Sequence, residues 1–223
     1  MNLEGLIRRF RTKARDTATP YLFGDEEVTD WLNDAQEQAC IRGRLILEDA
    51  AEEVIRIDLT PGTGAYALHE SVYEIVTAHI LWPGMDRDDI KPLSIVTREW
   101  LNKYQPKWRE DSQPARWAIQ DDTRIRIVGT FPEDAWLQLE CYRLPLYPMV
   151  SDADEPEIHR AHHEHLIDWA LHEAYSIPDT EVFDPEKSRR AEAEFTTYFG
   201  PLPDSGLRRE TRHDFVQVNE VIA

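Results

Sequence analysis

The stretch Glu157–Tyr175, EIHRAHHEHLIDWALHEAY, decides how this chain is read. It carries five of the eight histidines: His159, His162, His163, His165 and His172. It is a metal site, a proton relay, or a scaffold helix that happens to be rich in histidine. Its apolar residues recur at helical spacing, which predicts one α-helix over about Pro156 to Ser176. On a wheel of about 100° per residue, Leu166, Trp169, Ala170 and Ile177 form one stripe. Ile167, Leu171 and Ala174 form a second beside it, and the joint apolar arc approaches roughly 200°. A helix apolar over that width is covered from two sides. The second cover is either another helix of the same chain or a neighbouring copy. Ile167 and Leu171 are therefore the subunit-packing candidates.

On the same wheel the histidines do not form one cluster. His159, His162 and His163 flank the first stripe, whereas His165 and His172 sit together on another side. A helical HExxH pair is absent, because HEHLI and HEAYS both lack the second histidine. Paired Glu-x-x-His ligands on facing helices are absent too, because the other predicted helices carry no histidine. The metal reading then rests on His159, His163 and nearby acids such as Glu164, and a metal-dependent enzyme is the runner-up. There is no G-x-S-x-G, and neither cysteine has an evident histidine partner. The GTG at Gly62–Gly64 is a lone turn, not a phosphate loop. The expectation is a non-enzymatic chain with no catalytic, cofactor-binding or metal residues.

Outward from this helix, the flanks sort into blocks. A first helix runs from Leu3 to about Arg15, with Leu6, Ile7 and Phe10 on one face. Pro20 and Gly24 break it, and Asp25 opens a second helix to about Glu48, with Val28, Trp31, Leu32, Ala35, Ala39 and Ile46 as its stripe. The segment EVIRIDLT alternates and reads as a strand. AYALHE, VYEIVTAHILW, the WAIQDDTRIRIVG hairpin and AWLQLECYRLPL continue the β pattern. TREWLNKY is a short helix capped by Thr97. A last helix opens with Asp184 as cap and Pro185 at its first position, carries Ala191, Phe195, Tyr198 and Phe199 on one face, and stops at Gly200. The fold class is α+β: an antiparallel bundle of about four helices, in two parts at 1–50 and 148–200. A β-rich insertion occupies 51–147, and an extended tail follows over 201–223. In the tail, DFVQVNEVI alternates like a strand with no sheet of its own.

Composition bounds the function. The chain has 223 residues, 41% of them hydrophobic, and a formal charge of −18. That charge argues against a sequence-reading nucleic-acid binder, which needs a basic face. An acidic wall repels phosphates, and that repulsion is itself useful near DNA. No apolar run of about 18 residues occurs, and the basic N-terminal stretch does not read as a signal peptide. Cys40 and Cys141 suit a reducing compartment, with both thiols unoxidised.

Three stretches resemble the head–tail connector (adaptor) proteins of tailed bacteriophages. They are YLFGDEEVTDWLNDAQEQACIRGRLI (Tyr21–Ile46), LECYRLPLYPMVSDADEPEIHRAHHEHLIDWALHEAY (Leu139–Tyr175) and FDPEKSRRAEAEFTTYFGP (Phe183–Pro201). The first carries the pattern W-L-N-x-A-Q-x-x-A. The second carries aromatic-Arg-Leu-Pro, a histidine, and Leu-Ile-x-Trp-Ala. The resemblance implies a structural virion protein of the neck, made in the host cytoplasm and acting as a ring, typically of twelve copies, under the portal protein. Genomic DNA would pass through the lumen without specific binding, and a downstream neck or tail protein would dock on the ring. The tail would reach the portal, with Phe215, Val216, Val218 and Val221 as apolar contacts and Arg208, Arg209 and Arg212 as partners for carboxylates. A further alternative is another neck component, of the tail-tube or stopper kind.

Overall fold

The computed structural model describes residues 1–86, 90–178 and 182–203. It divides into two compact units. The first is built from Met1–Ile46 and Arg143–Leu202, and the second on Leu47–Tyr142. The four longer helices lie in the first unit and the sheets, with two short helices, in the second, so the chain is α+β.

In the first unit, α1 (Leu3–Ala14), α2 (Asp25–Gly43), α5 (Leu166–Ser176) and α6 (Pro185–Phe199) share one core. The N-cap of α1 is Asn2, whose side chain accepts from the Gly5 amide. The chain leaves α1 at Arg15, which takes the left-handed conformation at φ 61°. Leu3, Leu6 and Phe10 of α1, Val28, Leu32, Ala35 and Ala39 of α2, and Phe195 of α6 are all buried against α5 and one another. Asp184 accepts from the Lys187 amide and Pro185 fills the first turn of α6, as the local signals require.

A buried ionic knot closes the loop between α1 and α2. Arg11 donates to Asp16 at 2.7 Å, to the Phe23 carbonyl at 3.0 Å and to Asp25 at 2.5 Å. Asp16, only 3% exposed, also accepts from the Leu22 and Phe23 amides. Phe23 is thereby fixed edge-on to Phe10 and Trp31.

Several element boundaries differ from the sequence expectation. The second helix stops at Gly43, not near Glu48, because Arg44 turns left-handed at φ 50°. Leu47–Glu48 then forms a short strand, β1. The expected strand over EVIRIDLT begins instead with a helical turn, α3 (Glu52–Ile55), and only Arg56–Asp58 is strand, β2. Val54 and Ile55 are both buried, which strict alternation cannot achieve. Tyr198 is not in the core: it is 43% exposed, while Ala191, Phe195 and Phe199 are buried.

The second unit holds two sheets. Strand β8 (Trp136–Arg143) lies between β1 and β2, antiparallel to both, and β4 (Val72–Leu81) also pairs with it. Leu137, Leu139 and Cys141 face inward from β8, as alternation predicts. The other sheet runs in the order β3 (Ala65–Ala67), β7 (Arg124–Val128), β6 (Trp117–Gln120), β5 (Ser94–Ile95). β5 joins β6 in parallel and the other pairs are antiparallel. Helix α4 (Arg98–Tyr104), capped by Thr97, places Leu101 on Ile119 and Val128 beside Trp108.

Three outcomes are expected. Asp16→Ala strips Arg11 of its buried partner and lowers stability by about 3–5 kcal/mol, read by urea unfolding. Arg190→Ala, at an exposed ion pair, changes it by about 1 kcal/mol or less. Burial pushes the Cys40 thiol up to about 12, so iodoacetamide at pH 8 modifies this residue only after unfolding.

Candidate functional site

The histidine segment and its neighbours make up the region that the sequence singled out. Its approach is held by polar side chains of α2. Asn33 donates to the Met149 carbonyl at 3.0 Å and accepts from the Met149 amide at 2.8 Å. One helical turn on, buried Gln36 accepts from the Glu157 amide at 2.5 Å. Glu157 in turn accepts from the Arg143 guanidinium at 2.5 Å and from the Leu146 amide at 2.9 Å. The pattern W-L-N-x-A-Q thus has two physical jobs. Leu32 and Ala35 fill the core, while Asn33 and Gln36 fasten the 149–157 link.

The segment itself is not one α-helix. Arg160–His165 is a 3-10 helix, and the α-helix α5 begins only at Leu166. A 3-10 helix has about three residues per turn, so positions i, i+3 and i+6 eclipse. The wheel reading of His159 with His163 is therefore corrected. The residues that align are His159, His162 and His165. The His159 and His162 ring centroids are 6.0 Å apart, and His165 stacks on Tyr198 at 3.5 Å. The Tyr198 hydroxyl lies 3.2 Å from His162 Nδ1. This row fastens the start of α5 to the end of α6.

His163 points the other way and is buried. Its Nε2 lies 2.9 Å from the Ile158 carbonyl and must donate to it. Its Nδ1 lies 2.9 Å from the Met1 amine and 3.1 Å from the Met1 carbonyl oxygen. His172 belongs to neither set: it meets Ser188 of α6 at 2.9 Å. Among the described residues, no three His, Cys, Asp or Glu side chains converge as a metal cage. Glu164 instead pairs with Arg9 at 2.8 Å.

The second cover of α5 comes from its own chain. Ile167 is fully buried among α1, α2 and α5 side chains, which leaves it no surface for subunit packing. Leu171 packs partly buried against the same core and keeps some exposure. The tail residues Arg208, Arg209, Arg212, Phe215, Val216, Val218 and Val221 lie outside the described residues. Arg42 of α2 was not singled out from the sequence. Its guanidinium lies over the Trp169 and Phe195 rings at 4.9 and 5.2 Å and donates to Thr196 at 2.9 Å. The sequence signal for the 3-10 turn was the spacing of three between histidines; nothing local marked Arg42.

Burial, and then the neighbouring histidines, hold the His162 imidazole below its usual range. The unfolded chain therefore binds more protons below about pH 6.5. Stability falls as pH drops from there toward the folded value. Thermal melts between pH 7.5 and 5 should show this loss, and His162→Gln should make it shallower.

A model of the SU10 adaptor protein family matches residues 1–218. The chain belongs to this family, a structural adaptor of phage head–tail connection. No curated protein matches it.

Proposed function

We propose that this SU10-family adaptor works as a ring under the portal, typically of twelve copies, that extends the DNA channel and joins the capsid portal to the tail. The observation that carries the reading is the family match, which runs through residue 218 and so takes in most of the C-terminal segment. On this reading the protein sits in the neck of the virion. A downstream neck or tail component docks on the face away from the portal.

The charge supports a channel role. At −18 per copy, a ring presents phosphates with a repelling wall, so DNA slides without being held. The C-terminal segment supports portal docking. In FVQVNEV, Phe215, Val216, Val218 and Val221 supply apolar side chains of an added strand, whose backbone pairs with a sheet edge of the partner. Arg208, Arg209 and Arg212 meet carboxylates on the portal or on the adjacent copy. The buried helical core supports a preformed scaffold, one that meets its neighbours through surfaces other than Ile167. Leu171 remains the subunit-packing candidate on α5.

Deleting residues 203–223 tests the docking role. Sedimentation with purified portal should show attachment lost, while circular dichroism and the melting temperature stay at full-length values. Attachment at wild-type strength would remove the role given to the segment. A reconstituted neck imaged without a ring of this chain below the portal would remove the ring.

A further inference from the structure

The second unit carries a cleft lined by three arginines, Arg98, Arg109 and Arg126, and by Asp111. It is an open cavity of ≈ 570 Å³. Its walls include Gly64, Arg109, Trp108, Arg126, Val128 and Phe131. In a chain with 43 acidic and 25 basic residues, a cation without a carboxylate stands out.

The nearby charges are mostly matched. Arg98 pairs with Asp121, and Asp111 pairs with Arg116 at 3.3 Å. Arg109 donates to the neutral amide oxygen of Asn102 at 3.2 Å and lies over its own Trp108 ring at 4.2 Å. Arg126 makes no side-chain hydrogen bond or ion pair with any described residue, and its Nε is buried with no acceptor. A buried guanidinium N–H without an acceptor is costly, and native structures satisfy such groups.

The backbone makes room for this arginine. Ile125 and Ile127 point into the core from β7, so Arg126 stands on the opposite face, beside Ala65 of β3. A Cβ on Gly64 would come within 2.9 Å of Arg126 Nη1. Glycine there leaves the guanidinium its place. A planar guanidinium with free N–H groups fits a carboxylate bidentately.

We infer that the Arg126 cleft receives an aspartate or glutamate side chain from a neighbouring copy of this chain. The inference rests on the ring reading for the source of the carboxylate. A carboxylate is favoured over a DNA phosphate because the total charge repels a polyanion, whereas one acidic side chain brings a single charge. A copy is favoured as donor because every copy carries a surplus of carboxylates, and a ring places them beside one another through one repeated head-to-tail contact.

The test uses the full chain assembled on purified portal, with ring formation followed by mass photometry. Arg126→Gln should melt like wild type yet need about tenfold or more protein for half-assembly. Arg126→Lys should recover part of the loss. Gly64→Leu, which crowds the guanidinium, should act in the same direction. In parallel, the Arg126 Nε–H signal of the isolated chain is followed by nitrogen-resolved NMR. A blocked glutamate peptide should shift it more than inorganic phosphate does. Wild-type assembly by Arg126→Gln overturns the inference and leaves the ring standing. A wild-type chain that forms no ring overturns the ring reading and, with it, the neighbouring copy as donor. A stronger response to phosphate than to the peptide, or no response, overturns the carboxylate assignment.

Discussion

Helix α5 has apolar side chains around more than half its circumference, and water cannot be left on them. Leu166, Ile167, Ala170 and Ala174 are all fully buried. Covering both sides takes α1 and α2 from the start of the chain and α6 from its end. This one requirement brings together segments more than a hundred residues apart. The other features of the first unit follow from it. The 149–157 link must be fastened so that the chain enters α5 at the right place, which Asn33 and Gln36 do. The entry to α2 must hold Phe23 against Phe10, which the Arg11–Asp16 pair does.

Several buried polar side chains inside this unit are hydrogen-bonded to the backbone and act as locks. Arg11 and Asp16 hold the loop between α1 and α2, Gln36 holds the link before α5, and His163 holds the Ile158 carbonyl at its start. A buried ion pair seldom adds net stability over an apolar replacement, because both charges lose water. Its value is that only one arrangement satisfies it.

The histidines show how local reading went astray. Five in nineteen residues suggest chemistry, and a helical wheel sorts them at 100° per residue. The chain instead winds at three residues per turn through Arg160–His165. That change regroups them into an aromatic row against Tyr198 and one inward side chain, His163. The wheel was sound from Leu166 to Ala174, where the helix is α, and misleading before it; Ile177, which it put in the stripe, lies past the end of α5 and is exposed. The end of α2 failed similarly: Ile46 continued the apolar period, but the left-handed turn at Arg44 had already ended the helix.

The sequence by itself determined the α+β class, the alternation of β8, the caps of α4 and α6, and the core faces of α1 and α2. Each is set by neighbours within a few residues, through periodicity, a capping side chain or a proline. It also carried the resemblance to phage adaptors, because W-L-N-x-A-Q and its companions are local patterns. Only the tertiary structure decided that Ile167 is covered by its own chain, that Asn33 and Gln36 fasten a link over a hundred residues away, and that Arg126 is left without a carboxylate. Those outcomes depend on which distant side chains share a space. Burial and pairing across such separations follow from packing, and no local period encodes them.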